Sequence, residues 1–96
     1  MRVVKWYAID GDIVWAPAVW EPLSISYSCG RLGIHALVNV VDCNTCFKNI
    51  KFLTDDAYVA YHLDDNMYDY RYIGKIEECN LPVCYVFEEI EKNASD

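Results

Sequence analysis

The chain of 96 residues is 54% hydrophobic and carries fifteen acids against eight bases, which gives a net charge of −7. That length suffices for one domain, and that apolar fraction excludes an intrinsically disordered chain. The acidic excess argues against direct nucleic-acid binding, which needs Lys and Arg at the phosphates, and against docking on an anionic membrane.

The negative charge is concentrated in the second half of the sequence. Residues 1–53 hold five bases and four acids, whereas residues 54–96 hold three bases and eleven acids. This asymmetry predicts one strongly negative face if the second half is contiguous in space. No run of about eighteen apolar residues occurs, and the N-terminus lacks a signal-peptide pattern. We therefore expect a cytoplasmic protein, in the host cytoplasm if it is viral.

The first half of the chain reads as strands separated by turns. RVVKWYAI and DIVWA flank Asp10-Gly11, a pair that favours a tight hairpin turn between β-rich runs. Pro17 and Pro22 then predict a loop or an irregular edge. LSISYSC, a turn over 29–33 and IHALVNVV follow. DCNTC has the length of a hairpin turn, and it leads into the strand FKNIKFL.

The stretch AYVAYHL allows two readings. Thr54 could cap a short helix over 55–63, with Asp55 and Asp56 placed favourably at its positive end. The frequency of Tyr and Val favours a strand instead.

MYDYRYIGKI is predicted to be a strand with two different faces. Tyr68, Tyr70, Tyr72 and Ile76 alternate on one face, and Asp69, Arg71, Lys75 and Glu77 alternate on the other. We expect the tyrosine face to pack against a second sheet and the charged face to meet water.

The remaining sequence completes a mostly-β fold. EECNLPVCYVF reads as a hairpin, and YVFEEIE is the last strand, which we expect at a sheet edge where it could pair two copies into a homodimer. Seven or eight short strands predict a small antiparallel β-sandwich or barrel. Residues 1–92 are expected to form a single globular β domain, and residues 93–96 a frayed tail.

Five cysteines leave three alternatives open. Cys43, Cys46, Cys79 and Cys84 lie in two predicted turns, so four thiolates could hold a zinc ion, with His35 or His62 in place of one. Cys79 and Cys84 could instead form a disulfide across their hairpin, although a cytoplasmic chain normally keeps its thiols reduced. Buried free thiols are the simplest reading.

No catalytic signature or cofactor motif is present, so we expect a protein that is not an enzyme and uses no cofactor. The two histidines accompany no nucleophile pattern. Paired acids such as Asp64-Asp65 and Glu77-Glu78 point to opposite faces of a strand, which does not suit glycosidase chemistry.

These features favour an acidic module that binds the basic surface of another protein, and a surface that normally holds nucleic acid would fit. Viral inhibitors, anti-restriction proteins and bacterial immunity proteins fit this description. The predicted partner-binding residues are Asp64, Asp65, Asp69, Glu77 and Glu78 for steering, with Tyr68, Tyr70 and Tyr72 as contacts. The alternatives are a carbohydrate- or small-ligand-binding sandwich with exposed aromatics, and a zinc-stabilised structural domain.

Overall fold

The computed structural model describes residues 1–41, 44–54 and 67–92, and all regular structure within them is β. The strands are β1 (Arg2–Ala8), β2 (Ile13–Pro17), β3 (Trp20–Ser28), β4 (Arg31–Asn39), β5 (Thr45–Leu53), β6 (Tyr68–Ile76) and β7 (Cys84–Glu91). They form two antiparallel sheets, in the orders β1-β4-β3 and β2-β5-β7-β6. This confirms the predicted small antiparallel β-sandwich rather than a closed barrel. The possible helix at 55–63 and the tail at 93–96 lie outside the described residues.

The core lies between the two sheets and draws on both. Its buried members are Val14, Ala16, Trp20, Ile34, Ala36, Val38, Ile50, Ile73 and Val86. Because side chains alternate along a strand, the residues between these positions point away from the core. The outer face of each sheet is therefore defined by the same register that builds the core.

The turn between β3 and β4 forms within the predicted stretch 29–33 but is shorter, because β4 already begins at Arg31. Cys29 and Gly30 have φ angles of 52° and 77°, and they separate the paired residues Ser28 and Arg31. Two consecutive positive φ angles are what a type I′ hairpin turn requires. This backbone matches the twist of the flanking strands, so β3 and β4 stay in one sheet.

The predicted turn after β1 also forms, but the hairpin that it was expected to close does not. Asp10 and Ile13 exchange backbone hydrogen bonds of 2.8 and 3.1 Å around Gly11, whose φ is +65°. Beyond this bridge the strands separate, since β1 pairs with β4 and β2 pairs with β5. The apolar residues of β1 cover the core from one sheet and those of β2 cover it from the other, so the chain crosses between the sheets at this turn.

The prediction that DCNTC joins paired strands is wrong for the same reason. β4 is the central strand of the three-stranded sheet, and β5 pairs with β2 and β7 in the other sheet. The turn at 40–44 thus carries the chain from one layer to the other, and only its residues 42 and 43 lie outside the described ranges.

The placement of the last strand at a sheet edge is also wrong. β7 lies between β5 and β6, and its consecutive residues Val86, Phe87 and Glu88 are all buried. A strand that is covered on both faces and paired on both sides cannot join two copies. The edge strands are β1 and β3 of one sheet and β2 and β6 of the other.

Candidate functional site

The tyrosines of β6 point away from the core, opposite to the prediction. A register shift between Tyr72 and Gly74 places the extra residue Ile73 in the core. Even-numbered residues face outward before this shift and inward after it, so Tyr72 is 51% exposed whereas Ile76 packs against the core. A β-bulge changes the parity of a strand in this way, and strict alternation along the sequence does not reveal it.

The outer side of the four-stranded sheet consequently presents many aromatic rings. We call Trp15, Phe47, Tyr68, Tyr70, Tyr72 and Phe87 the aromatic face. Register places these side chains across all four strands, because Trp15 pairs with Phe47 on one side of the sheet and Phe87 with Tyr72 on the other. The outer face of an antiparallel sheet normally alternates toward polar residues, so this concentration of rings is unusual.

Trp15 and Phe47 form the exposed end of the aromatic face. Their ring centroids lie 4.5 Å apart at an interplanar angle of 60°, and the two residues are 53% and 62% exposed. Aromatic pairs in this geometry hold each other in place. The pair therefore forms a large exposed apolar surface.

The other end is more buried and includes polar groups. The ring of Phe87 packs against Tyr70 and Tyr72 at centroid distances of 6.4 and 5.4 Å. Tyr70 donates its hydroxyl to Glu89 Oε2 at 3.1 Å, and Lys51 Nζ lies 3.8 Å from the same carboxylate oxygen. These contacts fix the tyrosine rings and leave a mixed polar patch beside them.

The three predicted steering acids that the structure describes lie in different surroundings. Asp69 lies 3.7 Å from Lys92, and Glu77 lies 2.8 Å from Lys75. Glu78 accepts a hydrogen bond from the Tyr27 hydroxyl at 3.3 Å, at the end of the sandwich where β3 and β6 finish. The remaining two, at 64 and 65, lie outside the described residues.

The described part of the chain is almost neutral. It contains all eight bases and nine of the fifteen acids, so residues 42–43, 55–66 and 93–96 hold six acids and no base. Five of the eight bases form ion pairs. Most of the net negative charge therefore comes from residues outside the described ranges.

One acid is buried and belongs to the framework itself. Glu88 is only 5% exposed, and its Oε1 accepts a hydrogen bond of 2.9 Å from Trp20 Nε1. Arg71 Nη1 lies 3.8 Å from the same oxygen and donates to the Trp20 carbonyl at 3.1 Å. The cluster joins the edges of the two sheets and satisfies a carboxylate that burial would otherwise penalise.

A cleft of about 550 Å³ opens beside this cluster. Its lining includes Arg2, Trp20, Asn39, Arg71 and Tyr72. This volume falls in the range of small-molecule sites, and the lining combines polar with apolar groups.

The described cysteines do not converge, and the remaining zinc candidate, Cys43, lies outside the described residues. Cys29, Cys46, Cys79 and Cys84 are free thiols, and Cys84 pairs with Ile76 rather than with Cys79. By register Cys46 and Cys84 lie at opposite ends of the four-stranded sheet, roughly 25 Å apart at about 3.3 Å per residue. One zinc ion cannot bridge that distance, and no group of three possible metal ligands occurs among the described residues.

A serine and a histidine meet on the outer face of the three-stranded sheet. Ser26 Oγ lies 3.2 Å from His35 Nδ1, because Ser26 on β3 is diagonal to His35 on β4. Within the described ranges no carboxylate is bonded to the second ring nitrogen. The pair thus lacks the third member that would orient the imidazole as a base.

Sequence reasoning missed Trp15 and Phe47 as surface residues. Thirty-two positions separate them, and only the pairing of β2 with β5 brings them together. A Trp in a short apolar strand ordinarily indicates core. No local signal distinguishes Trp15, which is exposed, from Trp20, which is buried.

The chain matches no protein-family model, and neither the curated proteins nor the solved structures include a significant match. Among the described residues no helix is long and apolar enough to cross a membrane.

Proposed function

We propose that this chain is a non-enzymatic module that binds the basic surface of a partner protein through the aromatic face. Inhibitors, immunity proteins and nucleic-acid mimics act in this manner. The observation that carries the proposal is the exposed Trp15–Phe47 pair, which lies on the same side of the same sheet as the tyrosines of β6.

The composition of the aromatic face supports protein binding. Tyr and Trp are enriched among the residues that dominate interface energetics, because they bury much area with little loss of side-chain entropy. Trp15 and Phe47 contribute little to the core, since both lie on the side away from it. A partner that covers them would gain the free energy of burying two large rings.

The charge distribution supports a basic partner. The acids at 55, 56, 64 and 65 lie in the connection between β5 and β6, and these two strands carry Phe47 and the three tyrosines. With a net charge of −7, long-range attraction would accelerate encounter with a positive surface.

The test begins with cross-linking and mass spectrometry of proteins captured from the source cell, followed by measurement with the purified partner. The double variant Trp15→Ala/Phe47→Ala should weaken binding at least about 100-fold, consistent with two hot-spot residues. Val41→Ala, an exposed apolar residue outside the aromatic face, is the matched control and should bind normally. Unchanged affinity of the double variant would rule out the aromatic face.

Charge is tested separately. Association should slow steeply as salt rises, and neutralising Asp64, Asp65 and Asp69 together should slow it at low salt. The control neutralises Asp10 and Asp12, which removes two negative charges elsewhere in the sequence and should slow association less. Rates that do not respond to salt would exclude electrostatic capture while leaving the aromatic contacts open to their own test.

The cleft favours a second candidate function, binding of a carbohydrate or another small polar ligand. Tyr72 borders both the aromatic face and the cleft, where Arg2, Asn39 and Arg71 supply polar groups. This function predicts a change of tryptophan fluorescence with oligosaccharides that is insensitive to salt and lost in Tyr72→Ala. Absence of any fluorescence change across an oligosaccharide panel would reject it.

A further inference from the structure

None of the strands that the structure describes pairs with the outer edge of β1, and this strand is regular. β1 pairs with β4 in unbroken register from Arg2 to Ala8. Ile9 N–H bonds the Leu32 carbonyl, and the Met1 carbonyl accepts from Val40. Since hydrogen-bonded pairs alternate in an antiparallel ladder, odd-numbered residues bond β4 and even-numbered residues direct their backbone groups outward. In the described part of the chain, nothing bonds the outward groups of Val4 and Trp6.

The other three edges are interrupted. β3 contains Pro22 and a register shift beside it, and β6 contains the shift at Ile73. β2 has five residues, ends at Pro17 and has its Ile13 backbone groups bonded to Asp10. Prolines, bulges and short length are the usual means by which edge strands avoid pairing, and β1 has none of them.

The charges of β1 select the kind of strand that could pair with it. Arg2 and Lys5 are its only charged residues, so β1 is a basic edge in an acidic protein. Lys5 is exposed and lies opposite Ala36 of the core, while Arg2 has only a loose ion pair with Glu21 at 3.8 Å. If two copies paired through β1, four basic side chains would lie close together, and each chain carries a net charge of −7. Repulsion between like charges therefore disfavours a second copy of the chain as the added strand.

We propose that β1 accepts an extended acidic segment of a partner protein as a fourth strand of the three-stranded sheet. Main-chain hydrogen bonds to Val4 and Trp6 would provide the pairing, as in other strand-addition complexes. Carboxylates on alternate residues of the added strand would lie beside Lys5. Val4, which is largely exposed, would pack against the side chains on the other face of the added strand. This surface is separate from the aromatic face, so it does not rest on the function proposed above.

The experiment selects binders to the full chain from a displayed library of random 12-residue peptides. The expected products alternate acidic with β-branched residues. Val4→Pro removes one outward N–H and no bond to β4, so it should weaken the selected peptides about 5- to 10-fold. Lys5→Glu should weaken acidic peptides by a similar factor at low salt and favour versions with Lys in place of Glu. Val41→Ala serves as the control and should leave affinity unchanged.

Three results would overturn the proposal. They are a selection that enriches nothing, enriched peptides that are basic or indifferent to both variants, and a dimer in sedimentation that Val4→Pro abolishes. The last would assign the edge to a second copy of the chain. Lys5→Glu changes only an exposed side chain, so this variant still tests the proposal if Val4→Pro does not fold.

Discussion

Trp20 donates its indole N–H to the buried carboxylate of Glu88 at 2.9 Å, and this bond joins β3 of one sheet to β7 of the other. The two residues are 68 positions apart. Arg71 lies against the same carboxylate and also bonds the Trp20 carbonyl. The sandwich is therefore held at this edge by a polar cluster as well as by apolar packing, and its contribution to stability is measurable.

Trp20→Phe should destabilise the protein by about 2 kcal/mol, because it deprives a buried charged acceptor of its donor. Trp6→Phe is the matched control, since Trp6 Nε1 is buried without a partner in the described part of the chain. Removing an unpaired donor costs no hydrogen bond. Urea denaturation should show a clearly smaller loss of unfolding free energy for Trp6→Phe, and equal losses would contradict the assigned bond.

Glu88→Ala should cost about 2–3 kcal/mol of unfolding free energy, since it leaves the Trp20 donor buried and unpaired. Arg71 is partly exposed, so water replaces much of its lost contact and limits the effect. Glu88→Gln keeps an acceptor oxygen and should cost less. Glu91→Ala, on the exposed end of the same strand, should change stability by under about 0.5 kcal/mol. A neutral Glu88→Ala would refute the cluster's role.

Gly33→Ala should be strongly destabilising. A Cβ at Gly33 would collide with the indole ring of Trp6, whereas a Cβ at Gly74 would meet Ile25 Cγ2 at 3.3 Å, a contact that a small shift relieves. We expect a loss of about 2 kcal/mol or more for Gly33→Ala, and a smaller one for Gly74→Ala. The double variant Gly33→Ala/Trp6→Ala should be less destabilised than the sum of its single variants, as measured by thermal unfolding. Additive losses would mean that Trp6 does not cover Gly33.

Cys84 should be the slowest of the described cysteines to react with iodoacetamide. Burial raises the pKa of its thiol, an effect that a hydrogen bond with the Leu53 backbone partly opposes. The thiolate is the reactive form. The rate at which Cys84 is alkylated should therefore rise at a higher pH than the rate for an ordinary thiol. Cys29 and Cys79 are exposed and should react first. Peptide mapping over a pH series measures the order, and early modification of Cys84 would contradict its burial.

The same pKa shift has a consequence for stability. The folded state holds the Cys84 proton more tightly than the unfolded state, so its contribution is complete at neutral pH. That contribution declines as pH rises from the ordinary thiol pKa toward the raised one. Cys84→Ala should flatten this part of the pH profile, and a profile that keeps its slope would assign the decline to other groups.

Local sequence was sufficient wherever a local rule governs structure. The positive φ angles at Gly30 and Gly11 follow from the conformational freedom of glycine in turns. The strands β1, β5 and β6 follow from alternation and β-branched or aromatic residues. Fold class needed no more than this, because seven short strands in 96 residues have few ways to bury their apolar faces.

Partner strands and outward faces were decided by the tertiary structure. Asp10-Gly11 predicts a turn whether or not the strands beyond it pair, and only competition for the core sends β1 and β2 to different sheets. The bulge at Ile73 reversed the expected orientation of Tyr68, Tyr70 and Tyr72. Its position depends on the fit of β6 against β7 and the core.

The sequence by itself determined an acidic, mostly-β protein, most of its strand segments and two of its tight turns, because composition and local conformational preference act over a few residues. The tertiary structure alone decided that Trp15 meets Phe47, that Trp20 meets Glu88 and that β1 is an edge strand among the described strands. These relationships join residues far apart in the chain, and they arise from register and from which faces the core must bury. For that reason the candidate site lies where alternation and residue type did not place it.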